Sequence, residues 1–211
     1  LVFANGDVLE PLKQLEPVSR KKTGTYVRVW PDPKYFDSAA IPVAELTHLL
    51  RSKAVLLSGI KVSLTIEKTG ETREWQYEDG VRGYLNEALG DAERIVPVFE
   101  GKQYAAADDE TFAEGEGAQW VVVWTADGNV VRESYVNLIS TTAGGTHEAG
   151  LREGLFNAVK SFAELHSLIP KGVKLLPEDV FARASFVLSA KVLDPQFQGQ
   201  IKERLNSRDA V

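Results

Sequence analysis

The chain has 211 residues, 44% of them hydrophobic, enough to fill one large core or a small one beside a fragment. Thirty acidic against 24 basic residues give a net charge of −6, the wrong sign for a protein that coats nucleic acid without sequence preference. There is no cysteine, which excludes disulfides and thiolate metal sites, and His48, His147 and His166 are too scattered for a histidine-pair site, so no zinc is expected.

The longest apolar runs, such as Val121-Val122-Val123-Trp124, fall far below the roughly 18 residues of a membrane-spanning helix. No signal peptide pattern is present, and a cytoplasmic protein is expected. The chain has no methionine and opens Leu-Val-Phe, so the expectation is a piece excised from a longer protein. Charge is uneven. Arg20, Lys21, Lys22, Arg28 and Lys34 form an early basic stretch, whereas Asp108, Asp109, Glu110, Glu114 and Glu116 form an acidic one. Only local basic patches could meet DNA, with the acidic stretch turned away.

In chain order, Asn5-Gly6 between short apolar runs predicts a two-residue β-hairpin. Thr25 to Trp30 alternates polar and apolar residues and predicts a strand stopped by Pro31-Asp32-Pro33. Val43, Leu46, Leu50, Ala54 and Leu57 recur at three and four, after Pro42 and before Gly59, which predicts an amphipathic helix. Lys61 to Glu67 and Thr72 to Tyr77 read as a hairpin around Thr69-Gly70-Glu71, and Asp79 to Leu89 as a short helix.

Three strands are expected at 95–104, 118–125 and 130–140, with 108–116 as an exposed loop lacking the aliphatic residues to order itself well. Thr146 is the expected cap of a long helix running to about Ser167, whose apolar face is Leu151, Leu155, Val159, Phe162 and His166. A short helix from about Pro177 to Ala182 and a strand from Ser185 to Val192 follow. The order is mixed α and β, with a domain boundary expected near Pro31 to Ala39.

The segment Asp194-Pro195-Gln196-Phe197-Gln198-Gly199-Gln200-Ile201-Lys202 leaves a strand through proline, passes a glycine and presents Gln200 and Lys202. An ammonium on a loop suits a terminal phosphate oxygen, and glutamine adds a neutral donor. By itself, though, an exposed lysine after a turn is ordinary solvated surface. Gly144-Gly145-Thr146-His147 precedes a helix but lacks the Lys-Ser/Thr ending of a phosphate loop, so a tight strand-to-helix turn is the better reading. Trp30, Trp75, Trp120 and Trp124 lie in strand patterns and are read as core. Nothing resembles a Ser-His-Asp or paired-carboxylate site.

VNLI, GGTH, the following GLR and the ending KVLDPQFQGQIK stand in the order seen in the ATPase subunits of bacterial type IIA DNA topoisomerases, and the chain resembles the transducer part of that family. IPKGVKLLPEDVFAR, SYVNLI and ERLNSR look closer to its topoisomerase IV branch than to gyrase. The resemblance implies an α+β fold: a transducer domain at 37–211 with a left-handed βαβ crossover, and at 1–36 the trailing strands of a GHKL-type ATPase domain. Such a crossover hand would not follow from general rules, which favour the right-handed form.

The resemblance also implies that Gln200 and Lys202 belong to a loop reaching the γ-phosphate of ATP, with Ile201 replacing the family's threonine, and that Arg152 faces the cavity holding the DNA segment in transit. No catalytic residue falls in the chain. ATP and Mg²⁺ are implied for the full-length protein and not for this fragment, which is expected to be inactive alone and to lack the helices that finish the domain. Double-stranded DNA, the A subunit of topoisomerase IV and a second copy of the B subunit are the implied partners, with relaxation and decatenation the activity. The alternative from another class is a scaffold module in which Lys202 is surface.

Overall fold

A computed structural model of the chain describes residues 1–4, 6–19, 21 and 23–208. They divide into two units, Leu1–Pro42 and Val43–Val211. In the first, β1 (Val2–Ala4) pairs antiparallel with β2 (Asp7–Glu10). Gly6, at φ 91°, supplies the positive φ the turn needs; Asn5 lies outside the described residues, as do Arg20 and Lys22 of the basic stretch. The strand expected at Thr25 to Trp30 does not form: these residues join no ladder among the described residues, because alternation prepares a strand but does not supply its partner. Trp30 is not core. It is exposed, with the Arg28 guanidinium 4.7 Å from its ring centroid.

The second unit begins with α1 (Val43–Leu56), whose Ala54 and Val55 are buried. The hairpin of β3 (Val62–Ile66) and β4 (Glu71–Trp75) turns through Gly70, and α2 (Gly80–Leu89) follows. A five-stranded sheet then assembles from β5 (Phe99–Tyr104), β6 (Gly117–Trp124), β7 (Arg132–Val136), β8 (Ile139–Ser140) and β9 (Ala184–Lys191), in the order β5-β6-β9-β7-β8. Between β8 and β9 come α3 (Thr146–Leu165) and α4 (Pro177–Phe181).

β7 and β9 are parallel neighbours, so α3 and α4 lie on the crossover joining them. All other strand pairs in the sheet are antiparallel, which makes it mixed and the fold α+β.

Period-two alternation explains how the sheet is covered on both faces. Val121, Val123 and Val187 point to the side holding Val55, Val81, Leu85 and Leu89 of α1 and α2. Val122, Phe186 and Leu188 point the other way, against Val180, Phe181, Leu151, Leu155 and Phe156 of α3 and α4. The central strands β6 and β9 are therefore buried on both sides.

Several boundaries differ from expectation. Residues 95–98 lie outside β5, although Ile95 N–H donates to the Trp124 carbonyl. The segment 130–140 is two strands, β7 and β8, reversing at Asn137-Leu138. In the acidic loop, order comes from hydrogen bonds rather than burial: Asp109 accepts from the Thr111 and Phe112 amides at 2.8 and 2.9 Å, which holds its carboxyl below its ordinary pKa. The apolar stripe of α3 packs through Leu151, Leu155 and Phe156 only; Phe162 is exposed and meets His166, their rings 4.3 Å apart. No helix among the described residues is long and apolar enough to cross a membrane.

Candidate functional site: a lysine-tipped loop docked on a helix start

After β9 the chain leaves the sheet, loops out and returns. Phe197 and Leu205 form an antiparallel bridge, closed by Gln198 N–H to the Arg204 carbonyl at 2.9 Å and Asn206 N–H to the Gln196 carbonyl at 2.7 Å. These bonds define a closed loop whose tip carries Gly199, Gln200, Ile201 and Lys202. Gly199 and Lys202 both have positive φ, 77° and 61°, which bends the chain tightly at the tip. Gln200, Ile201 and Lys202 are exposed, and Ile201 retains 79% of its accessible surface. Among the described residues Lys202 forms no ion pair; its ammonium lies 5.8 Å from the Phe197 ring centroid. Gln200 and Lys202 are thus brought together on one projecting tip.

The loop is rooted by Leu205, which is fully buried with Val136 and Ala190. Its backbone runs beside the turn before α3. Leu205 N–H donates to the Gly144 carbonyl and Thr146 N–H donates to the Leu205 carbonyl, both at 3.1 Å, while Ala143 N–H reaches the Glu203 carbonyl at 3.0 Å. The two glycines make this approach possible. Gly144 and Gly145 have φ 66° and 143°, and a Cβ on Gly145 would stand 2.4 Å from the Leu205 carbonyl oxygen. Thr146 does not cap α3 as expected: Gly145 occupies the cap position, and the Thr146 hydroxyl is buried without a partner. The Thr146 amide, one of the first-turn donors that a helix leaves without an internal partner, holds the loop instead.

Arg152 lies two turns into α3. Its guanidinium is gripped by Glu148 through Nε at 3.0 Å and Nη2 at 2.9 Å, and lies 5.1 and 5.3 Å from the ring centroids of Phe181 and Phe186. Arg132 of β7 lines the same shallow cavities, of about 440 and 450 Å³, and donates to the carbonyls of Ala184 and Phe181. Burial and the neighbouring Arg152 charge both lower its pKa. Arg152 is therefore a half-buried, carboxylate-held cation, not a free surface charge, and it makes no direct contact with Gln200 or Lys202. Sequence reasoning missed Arg132, Glu148 and Leu205; the i, i+4 spacing of Glu148 and Arg152 was the one signal available for them.

His147, just after the glycines, is buried and points inward. Its Nε2 is 3.0 Å from the Thr141 hydroxyl, which is 2.7 Å from the Ser134 hydroxyl, and all three residues are buried. Burial lowers its pKa to about 4, so the imidazole is neutral. A neutral histidine sealed from solvent beside two structural hydroxyls is a core hydrogen-bond chain with no access for a substrate.

Known proteins resemble this chain in sequence and in fold. Residues 80–211 match the family described as DNA gyrase B. The chain is 46% identical over 217 residues to the B subunit of DNA topoisomerase 4 from Pseudomonas aeruginosa and 40% identical over 213 residues to that from Escherichia coli. Each alignment covers 100% of this chain but 33% and 32% of the relative, so the chain spans about a third of the length of these curated relatives.

Among solved structures, the topoisomerase IV ATP-binding domain of Francisella tularensis in complex with a small-molecule inhibitor superimposes with a TM-score of 0.67 at 33% identity, covering 86% of this chain and 47% of that one. The 43K ATPase domain of Thermus thermophilus gyrase B shares the fold with a TM-score of 0.65 at 21% identity, over 85% and 47% of the two chains. The family match spans more than half of the chain, and the chain belongs to the DNA gyrase B family, that of type II topoisomerase B subunits.

Proposed function

We propose that the chain is the transducer region of a topoisomerase IV B subunit, coupling ATP binding and hydrolysis in a preceding domain to passage of one DNA duplex through another. Residues 37–211 form the transducer and 1–36 the last strands of the ATPase domain. The observation that carries this reading is the loop of Gln200 and Lys202, exposed at its tip and rooted by Leu205 against the start of the helix that bears Arg152.

The tip fits one part of a nucleotide. A lysine ammonium with no competing carboxylate can offset charge on a terminal phosphate oxygen, and the Gln200 carboxamide can donate beside it. The tip does not fit Mg²⁺, because no group of three or more His, Cys, Asp or Glu residues is gathered among the described residues. Bound ATP would supply the phosphoanhydride whose hydrolysis drives the cycle, and its metal and adenine would be held elsewhere in the full-length protein. Ile201 adds no hydroxyl at the tip, so Lys202 and Gln200 carry the polar contacts alone.

Arg152 answers to the other ligand. Its guanidinium lines an open cavity and is held by one carboxylate, so a DNA phosphate would compete with Glu148 for the same donors. The A subunit of topoisomerase IV and a second copy of the B subunit complete the assembly in this reading, and the isolated fragment neither holds ATP tightly nor hydrolyses it.

The test is Lys202→Ala in the full-length protein combined with its partner subunit. Loss of one donor aimed at the reacting phosphoryl group should lower ATP turnover roughly a hundredfold. An unchanged rate would return Lys202 to the surface and leave a scaffold module. The same preparations, assayed for decatenation of linked circles and supercoiling of relaxed plasmid, separate the two branches: decatenation without supercoiling is the topoisomerase IV outcome, and negative supercoiling the gyrase one.

A further inference from the structure

β7 turns into β8 through Asn137 and Leu138, with φ of 48° and 67°. Consecutive positive φ values mark the turn type whose second place is usually glycine, and leucine carries a Cβ that opposes this conformation. The turn is nevertheless held, with the Lys53 ammonium of α1 donating to the Leu138 carbonyl. An unfavourable backbone kept in place by neighbours calls for something it secures. Here that is the Asn137 side chain.

Asn137 N–H donates to the Ala190 carbonyl at 2.9 Å, extending the parallel β7–β9 ladder. Its carboxamide then goes one step further. Nδ2 donates to the Val192 carbonyl at 2.7 Å, and Oδ1 accepts from Val192 N–H at 3.0 Å. A carboxamide carries the donor and acceptor of a peptide group, so this side chain supplies a ladder rung after the β7 main chain has turned away. Val192 is the first residue past β9, where the chain departs toward the Lys202 loop. The next amide, Leu193 N–H, is taken by the Glu116 carboxylate.

We propose that Asn137 is a positioning residue for the Lys202 loop: it fixes the direction in which the chain leaves β9, as the glycine turn before α3 fixes where it returns at Leu205. The proposal rests on the reading of Lys202 as the phosphate-sensing group. Its logic is geometric. The path from Val192 to Lys202 keeps a reproducible tip only if both roots are fixed, and a tip displaced by about 1 Å can lose a large part of a positioned contact. Asparagine suits the place doubly, since it tolerates left-handed φ and carries both hydrogen-bonding groups.

The experiment compares Asn137→Gly, Asn137→Asp and Lys202→Ala in the full-length protein with its partner subunit. Glycine keeps the turn, because positive φ is free for it, and deletes the carboxamide alone; aspartate keeps the acceptor and loses the donor. Amide exchange at Val192 should quicken in Asn137→Gly. ATP turnover should fall roughly tenfold, in kcat more than in KM, with Asn137→Asp between it and the wild type. Turnover at the wild-type rate in Asn137→Gly, while Lys202→Ala is crippled, overturns the role of Asn137 and leaves that of Lys202 standing. A wild-type rate in Lys202→Ala overturns both. Faster exchange at Val192 with kcat unchanged makes Asn137 a structural residue only, which also overturns the proposal.

Discussion

Gly145 and Leu205 run side by side so closely that no side chain fits between them: a Cβ on Gly145 would lie 2.4 Å from the Leu205 carbonyl oxygen and 2.6 Å from its amide nitrogen. Through this contact the first turn of α3 and the root of the Lys202 loop share hydrogen bonds, so Arg152 and Lys202 belong to one continuous piece of structure without touching.

Gly145→Ala should therefore destabilise the domain by roughly 2–3 kcal/mol, since the added methyl must push the loop root away and φ 143° strains any residue with a Cβ. Gly154→Ala is the control. That glycine sits in mid-helix with open space around it, and alanine should stabilise by up to about 1 kcal/mol. Urea denaturation of the two variants decides it; equal effects of the same sign would show that the close approach at Gly145 has no energetic weight.

Leu205→Ala removes a fully buried side chain from the small cluster with Val136 and Ala190. A loss of about 3 kcal/mol is expected from transfer and cavity terms together. The Thr146 amide, which donates to the Leu205 carbonyl, should exchange faster with solvent in this variant, whereas amides at the centre of β6 and β9 should be affected only through global unfolding.

His147 makes stability depend on pH. Its pKa in the folded protein is depressed to about 4 by burial, against an ordinary value of 6.5, so the unfolded chain takes up the proton first as pH falls. Stability is full above pH 6.5 and is lost progressively between 6.5 and 4, by about 3 kcal/mol in all. His147→Gln stays neutral throughout, and its stability curve over that window should be flatter; an undiminished slope would move the effect to other groups.

Glu148→Gln breaks one ion pair whose partners remain 33% and 21% exposed. Solvent screening limits the cost to under about 1 kcal/mol, even though Nε and Nη2 converge on one carboxylate oxygen. A loss above about 2 kcal/mol on thermal unfolding would mean that the pair is structural rather than a releasable hold on Arg152.

Much of the fold was legible because local periodicity and burial agree. The alternation of β6 and β9 reports strands buried on both faces, and the sheet is built around them, whereas the three- and four-residue spacing located α1 but not its face: Val43 and Leu57 of that stripe are exposed and Val55, outside it, joins the core. The motif order also pointed to Gln200, Lys202 and Arg152 as candidates and to the family to which the chain belongs. Where local signal lacked a partner it failed, as at Thr25 to Trp30, whose alternation meets no second strand among the described residues.

Tertiary structure alone decided what each loop residue touches. No sequence spacing shows that Leu205 lies against Gly145 sixty residues away, that Asn137 completes the ladder of β9, or that the Thr146 amide binds a carbonyl while its hydroxyl caps nothing. Those contacts depend on which strands become neighbours. Pairing of β7 with β9 across the whole α3–α4 crossover brings the segments 137–146 and 192–205 together, and hydrogen bonds between chain segments so distant in sequence leave no periodic trace in either.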